Sequence, residues 1–324
     1  MKCIRLQPLV IVWTVFIVAC IPGRAAAALP ERSLKDYLGR WDLTLQAPDR
    51  NYASWLEITE RKGKIQARMV GRWGHARMLP SAEFAQGRIR FVSPKEEEGR
   101  TDADMVFEGR LRGYQLIGTT TGPDGTAWNW RGERAPSLER KSPPNWGAPV
   151  TLFNGKDLGG WHLTDPASTQ VWQVKKGTLI SPGRGADLVS DQRFNDFKLH
   201  LEFNCSRGAN SGVYLRGRYE VQIEDDPSPD APERSMGGVY GYLAPSRPVD
   251  CQPGKWRAYD ITLIGRLVTV VLDGTTLIDS REIPGLTGGA LDSHEGLPGP
   301  IYLQGGEDGR VEFRNIVLTP ATRN

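Results

Sequence analysis

Apolar and polar residues alternate along most of this chain, which is the pattern of β-strands with one buried face. Lys198–Phe203 has leucine or phenylalanine at every second position, and Val213–Ile223 repeats the alternation. Successive strand residues point to opposite faces, so each segment has an apolar side and a polar side. Pairs such as Lys62-Gly63 and Asp273-Gly274 separate such segments and are typical of hairpin turns. The pattern predicts an all-β protein built from short strands.

The strand segments fall into two groups, which predict two β domains. The first occupies residues 34–135 and opens with Gly39-Arg40-Trp41, which resembles the Gly-x-Trp signature of lipocalin-like barrels. We expect a small lipocalin-like β-barrel or meander there, an accessory domain with a binding or docking role left open. Residues 136–149 are rich in proline, which cannot donate to a ladder, and predict a linker. Residues 150–320 combine many strands with long Gly- and Pro-rich loops, and predict a jelly-roll β-sandwich.

The first 28 residues have the order of a secretory signal and are not expected to join the fold. Lys2 and Arg5 precede an apolar stretch from Leu9 to Ile21, and a run of alanines follows. The apolar stretch is short for a membrane span, which needs about 20 residues. We therefore expect export to the periplasm or the cell surface. Cys20 ends a segment that resembles a lipobox, so lipidation of Cys20 with membrane attachment competes with cleavage after the alanine run.

The balance of basic and acidic residues argues against nucleic acid as a partner. Without the three basic residues of the signal segment, the basic residues equal the 38 acidic ones. Nucleic-acid binding calls for a strongly basic surface, because the partner is a polyanion. The balance therefore excludes nucleic acid as the expected partner and fits a neutral ligand.

Two cysteines lie outside the signal segment, Cys205 and Cys251. Export would allow a disulfide between them, and two separate buried thiols are the alternative. The sequence contains no Cys-x-x-Cys pair and no pair of histidines at ligand spacing, so nothing supports a structural zinc site.

Polar residues on one face of the predicted strands suggest a ligand site. Alternation puts Tyr214, Arg216, Glu220 and Gln222 on the side opposite the apolar residues, and it puts Glu202 on the polar side of its own segment. If these strands are neighbours, the polar groups would line a hollow suited to a sugar ring. The remaining expected substrate contacts are Asn210, Trp256 and Gln304. The alternative is a solvated outer face with surface ion pairs.

Several motifs, in order, resemble the 3-keto-disaccharide hydrolase family over residues 148–320. They include "LFNGKDLGGW", "GANSGVYLRGRYEVQIED", "PGKWRAYDI", "LPGPIYLQG" and "VEFRNIVL". The resemblance implies a concanavalin-like jelly roll and a carbohydrate substrate oxidised at C3. A C3 ketone acidifies the C2 hydrogen, so a base can remove that proton and the resulting enolate can expel the glycosidic oxygen from C1. Glu220 is the expected base and Glu202 the second catalytic carboxylate, with Arg216 and Gln222 as oxyanion ligands.

The resemblance leaves three points open. A divalent metal ion could stabilise the enolate instead, with Glu224, Asp225 and Asp226 as oxygen ligands; a solvated strand end is the alternative. Family members commonly have a histidine after the Leu-Gln of the penultimate strand, where this chain has Gly306, Glu307 and Asp308, and the nearest histidine is His294. That departure keeps two further classes open, a noncatalytic carbohydrate-binding protein on the same sandwich and a surface interaction protein without a sugar site.

Overall fold

The structure is a computed structural model that describes residues 32–95, 103–168, 172–181, 183, 186–225, 230–306 and 309–322. Both groups of strands belong to one compact unit, Arg32–Asn324. The expected signal segment, with Cys20, lies outside the described residues, so export and lipidation stay predictions. The boundaries between the two expected domains and their linker also stay predictions. Within the described part of the chain, no helix is long and apolar enough to span a bilayer.

Nine strands form the first sheet, called here the N-terminal sheet. A 3-10 helix, Leu34–Asp36, precedes them. The strands are β1 (Gly39–Gln46), β2 (Asn51–Arg61), β3 (Lys64–Val70), β4 (Arg77–Met78), β5 (Ser81–Ala85), β6 (Arg88–Ser93), β7 (Met105–Arg112), β8 (Gln115–Thr121) and β9 (Ala127–Arg134). Their order is β4-β3-β2-β1-β9-β8-β7-β6-β5, with every pair antiparallel. The sheet is a curled meander, as expected.

Hairpin chemistry and aromatic packing explain this sheet. Arg61 pairs with Lys64, so Lys62 and Gly63 form a two-residue turn with positive φ angles of 52° and 73°. Inside the curl, aromatic and aliphatic side chains form one buried core, and the rings of Phe91 and Phe107 stack 5.0 Å apart. The alternation seen in the sequence therefore places the core inside the curl.

Two further sheets form a sandwich. The large C-terminal sheet runs β13-β14-β23-β16-β19-β20-β21, with β10 and β11 also pairing with β23, and the small C-terminal sheet runs β12-β15-β22-β17-β18. A 3-10 helix, Pro232–Arg234, follows β18. The strands are β10 (Asn145–Trp146), β11 (Val150–Thr151), β12 (Trp161–Leu163), β13 (Gln173–Lys175), β14 (Thr178–Ser181), β15 (Leu188–Ser190), β16 (Phe197–Cys205), β17 (Asn210–Leu215), β18 (Tyr219–Glu224), β19 (Arg257–Ile264), β20 (Leu267–Leu272), β21 (Thr275–Glu282), β22 (Tyr302–Leu303) and β23 (Val311–Thr322).

The apolar faces of the two C-terminal sheets share one core. Leu199 and Phe203 of β16 lie in the same buried cluster as Val213 of β17 and Val221 of β18. Burying these faces between two sheets is what the alternation demands, since each strand has one apolar side. The expected all-β fold with a jelly-roll sandwich is confirmed.

A disulfide and the proline-rich segment make further contacts with the strands of the sandwich. Cys205, at the end of β16, forms a disulfide with Cys251, which settles the alternative between a bridge and two thiols. The proline-rich segment 136–149 lies across the surface of the sandwich. Arg140 of this segment donates to Asp196 with Nε 2.6 Å from Oδ2, and β10 pairs with the end of β23.

Candidate functional site

A cavity of about 380 Å³, called here the Glu220 cavity, opens beside the hairpin of β17 and β18. Five of the residues expected from the sequence to form the site line it. They are Asn210, Tyr214, Glu220, Gln222 and Gln304. Both its volume and its mixture of aromatic and amide side chains suit a single sugar ring.

Strand pairing explains why these groups meet. Tyr214 is directly opposite Glu220, and Gly212 is directly opposite Gln222. Because side chains alternate between faces, these residues point to the cavity while Val213 points to the sandwich core. Gly212 leaves room for the acid, since a Cβ at this position would overlap the Glu220 carboxylate.

Glu220 is held in a buried position next to a phenol. Its side chain is 3% exposed, and its Oε2 lies 2.9 Å from the Tyr214 hydroxyl. Burial, reinforced by the Glu220 carboxylate, raises the pKa of Tyr214, so the phenol stays protonated and can donate. The Glu220 main-chain N–H donates to Thr287 Oγ1 at 3.0 Å, which fixes the backbone.

A second carboxylate, Asp187, lines the same cavity and was missed by sequence reasoning. Its Oδ2 accepts from the Tyr302 hydroxyl at 2.6 Å, and its Oδ1 accepts from the Gly305 N–H at 2.9 Å. The rings of Tyr302 and Tyr214 stack 4.2 Å apart, so two tyrosine–carboxylate pairs stand side by side. Burial raises the pKa of Asp187. Tyr302 could have been found from its position two residues before Gln304; Asp187 carried no such signal.

Gln222 carries an unsatisfied acceptor. The side chain is 2% exposed, and its Oε1 has no hydrogen-bond partner among the described residues. A buried polar atom without a partner is costly, typically by about 1 to 3 kcal/mol. A ligand hydroxyl in the cavity would remove that cost.

The N-terminal sheet also contributes to the cavity. Trp73, in the loop after β3, lines it together with Gly74 and is 44% exposed. A Cβ on Gly288, another lining residue, would overlap the Gly74 main chain. The accessory region therefore packs closely at the site, through residues that the sequence did not single out.

Three expected site residues, Glu202, Trp256 and Arg216, do not line the Glu220 cavity, which corrects the expected convergence. Glu202 is on β16 of the large C-terminal sheet, whereas Glu220 is on β18 of the small one. Glu202 Oε2 accepts from Arg314 Nε at 2.7 Å, and the Arg314 guanidinium lies 4.0 Å from the centre of the Trp256 ring. Alternation correctly placed Glu202 on a polar face, but consecutive strands here belong to different sheets.

Arg216 also lies outside the cavity. The strand ends at Leu215, and Arg216 has a left-handed φ of 54°, so the alternation breaks at this point. Its guanidinium is buried and donates to the Tyr219 hydroxyl at 2.9 Å and to Gly265 O at 3.0 Å. Arg216 therefore does not line the Glu220 cavity, where its expected role as an oxyanion ligand would have placed it.

The residues expected to hold a metal ion are not gathered into a ligand set in the described part of the chain. Asp225 Oδ2 accepts from the Gly208 N–H at 2.8 Å, while Asp226, Glu307 and Asp308 lie outside the described residues. No cluster of three or more histidine, cysteine, aspartate or glutamate side chains suited to a metal occurs among the residues that are described. His294 is exposed and does not line the cavity.

Comparison with known proteins gives three kinds of match. A curated 3-keto-disaccharide hydrolase from Bacteroides thetaiotaomicron is 28% identical over 95 residues, which is 26% of this chain and 32% of the relative. The aligned part thus spans about a third of that protein. A crystal structure of a candidate glycosyl hydrolase from Parabacteroides distasonis is 27% identical, covers 56% of this chain and 92% of its own, and gives a TM-score of 0.46. A second crystal structure from the same organism, also of a candidate glycosyl hydrolase, is 19% identical. It covers 54% of this chain and 94% of its own, and it gives a TM-score of 0.43.

The family model described as a 3-keto-alpha-glucoside-1,2-lyase-like domain matches residues 148–319. That range contains the small C-terminal sheet, all of the large C-terminal sheet except β10 and the last residues of β23, and most residues of the Glu220 cavity. It also agrees with the resemblance carried by the ordered motifs. The chain belongs to the family of 3-keto-alpha-glucoside-1,2-lyase-like domains.

Proposed function

We propose that this protein cleaves 3-keto-disaccharides or related 3-keto-glycosides, with the keto sugar bound in the Glu220 cavity. One observation carries the proposal. A buried carboxylate that is paired with a tyrosine opens into a sugar-sized cavity that is lined mostly by residues of the family domain. Family membership supports a C3-oxidised sugar as the substrate class.

The reaction starts with removal of the C2 proton. Glu220 accepts that proton, and the electrons of the C–H bond pass into an enolate whose charge rests on the C3 oxygen. Collapse of the enolate breaks the bond from C1 to the glycosidic oxygen, leaving a double bond between C1 and C2. Addition of water across that double bond completes a net hydrolysis. Ordinary glycosidases need no ketone, because their two carboxylates act at the anomeric carbon itself.

Groups in the cavity wall suit the charges that this route creates. The enolate oxygen needs hydrogen-bond donors, and the side-chain amides of Asn210, Gln222 and Gln304 line the wall. The departing oxygen needs a proton, and Asp187 is a suitable acid because burial raises its pKa. Tyr214 holds the Glu220 carboxylate in place. In this scheme Glu220 is the base and Asp187 takes the second role that the sequence assigned to Glu202.

Product release tests the proposal. Purified protein is incubated with a 3-keto-disaccharide, and the free monosaccharide is followed by chromatography and mass spectrometry, with chelator and with added divalent metal. Release of the sugar in either condition supports the enzyme. Binding without release in both would contradict it and leave a noncatalytic carbohydrate-binding protein.

Export is part of the same proposal, supported by the order of charged, apolar and small residues in segment 1–28. Mass spectrometry of the mature protein after fractionation of the native cells tests it. A diacylated Cys20 at the N-terminus indicates a lipoprotein, and an N-terminus near residue 28 indicates a cleaved secretory signal. A full-length chain in the cytoplasm would contradict export.

A further inference from the structure

A second cavity, called here the Arg50 cavity, adjoins the Glu220 cavity and also has a volume of about 380 Å³. The two cavities share four wall residues, Trp73, Asp187, Gly289 and Tyr302. A molecule with two linked parts could therefore place one part in each. Its remaining wall is formed in part by the N-terminal sheet and its loops, which lie outside the matched family domain.

We propose that the Arg50 cavity is a subsite for the leaving part of the substrate and that it selects a part bearing an anionic substituent, such as a carboxylate or a sulfate ester. This proposal rests on the proposed function, because the bond to be cleaved would cross from one cavity to the other.

Three guanidinium groups line the Arg50 cavity, those of Arg50, Arg72 and Arg193. Among the described residues, Arg50 and Arg193 make no side-chain hydrogen bond or ion pair. Arginine presents several N–H donors in a flat fork that matches the two oxygens of a carboxylate or a sulfate. The cavity is therefore rich in donors for an anion.

Aromatic rings hold two of these guanidinium groups. Arg50 lies 4.7 Å from the centre of the Tyr52 ring and 5.3 Å from that of Trp73. Arg72 lies 5.3 Å from the Tyr52 ring centre and 5.1 Å from that of Trp128. A cation–π contact positions a guanidinium without consuming its N–H groups. The stacking of Arg50 thus places a positive charge in the wall and leaves its donors for a ligand.

The acids in the same wall are already engaged. Asp292 forms an ion pair with Arg218 at 2.7 Å, and Asp187 accepts from Tyr302 and Gly305. Burial raises the pKa of Asp187, and both of its carboxylate oxygens are already hydrogen-bonded to protein donors. His162, another wall residue, pairs with Asp191 at 2.7 Å. The balance of charge facing the cavity is therefore positive.

Trp73 stands at the boundary of the two cavities. It is 44% exposed, and its ring packs edge-on against Tyr52 with centres 5.4 Å apart. An exposed indole held in this way is a flat apolar platform for the C–H face of a sugar ring. The subsite therefore fits a sugar-like leaving part that carries an anionic group, such as a uronic acid or a sulfated sugar.

Calorimetric titration of the full chain with glucose, glucuronate and glucose 6-sulfate tests the subsite without turnover. We expect at least one anionic sugar to bind about tenfold more tightly than glucose, because hydrogen bonds between a guanidinium and an anion are stronger than those to a neutral hydroxyl. The preference should weaken as salt is raised. Which anionic sugar binds better identifies the carboxylate or the sulfate ester as the recognised group.

Two variants provide the comparison. Arg50→Gln should lose the preference for the anionic sugar, while Arg281→Gln, which removes an exposed arginine on β21, should keep it. Equal affinity for the three sugars, or a preference that survives in the double variant Arg50→Gln and Arg193→Gln, would overturn the subsite. Anionic preference without cleavage of any 3-keto-disaccharide would overturn the proposed function alone. Cleavage without the preference would overturn the subsite alone.

Discussion

A buried acid at the contact between the N-terminal sheet and the sandwich makes stability depend on pH. Asp42 of β1 is 4% exposed, and one of its oxygens, Oδ1, has no hydrogen-bond partner among the described residues. Burial, together with the nearby Glu295 carboxylate, raises the pKa of Asp42 from 3.8 to about 9. Glu295 itself accepts from Arg266 Nε at 3.2 Å and from the Tyr219 hydroxyl at 2.6 Å, as an ionised carboxylate does. In the pair formed by Asp42 and Glu295, Asp42 is therefore the protonated acid that donates a hydrogen bond to Glu295.

The raised pKa sets the direction of the effect. Because the folded chain binds the Asp42 proton more tightly than the unfolded chain does, rising pH destabilises the fold between the two pKa values. Each pH unit in that window costs about 1.4 kcal/mol, so the loss between the unfolded pKa and pH 7 is about 4 kcal/mol. Asparagine cannot ionise, and its amide can donate to Glu295. Asp42→Asn should therefore gain stability over the parent as pH rises.

Urea unfolding followed by tryptophan fluorescence, at a series of pH values from 5 to 8, measures this difference. We expect the unfolding free energy of Asp42→Asn minus that of the parent to grow by about 1.4 kcal/mol per pH unit. Asp279→Asn, which changes an exposed acid on β21, is the control and should give a constant difference. A constant difference for Asp42→Asn would refute the reasoning.

Three further predictions concern the site and the disulfide. Tyr214→Phe removes the hydroxyl that positions Glu220, and steady-state kinetics should show kcat about tenfold lower with little change in KM. Gly212→Ala puts a methyl group against the Glu220 carboxylate, so activity should fall by about tenfold or more while the thermal midpoint changes little. Cys205→Ser opens a loop between cysteines 46 residues apart and should lower the unfolding free energy by about 3 to 4 kcal/mol in urea titrations. Parental kinetics in Tyr214→Phe or Gly212→Ala would contradict the role given to Glu220 and its neighbours. Parental stability in Cys205→Ser would contradict the contribution of the disulfide.

Local pattern was enough to predict the hairpin that builds the site. Alternation in Asn210–Glu224 correctly put Tyr214, Glu220 and Gln222 on one face, because both strands have a buried side. It failed at Arg216, where a left-handed turn residue interrupts the alternation. A period of two holds only within a strand, so a residue next to a turn cannot be placed by it.

The rest of the site depends on how the strands assemble. Glu202 and Glu220 are close in sequence, but their strands join different sheets, and no local pattern reports sheet membership. Asp187 and Trp73 reach the cavity from short connecting segments without a periodic signal. Contacts between distant segments arise from tertiary packing, which the alternation of side chains does not encode.

The central claim is that Glu220 removes a proton from a 3-keto sugar, and the initial rate of sugar release by Glu220→Gln tests it most directly. The rate should fall by about 100-fold or more, because a positioned general base contributes about that much. Glu202→Gln, on the other sheet, should release sugar at a rate within about twofold of the parent, as expected for a partly exposed ion pair. Binding of the substrate to Glu220→Gln should persist, since the amide keeps the shape of the side chain. Release by Glu220→Gln at the parental rate would contradict the account.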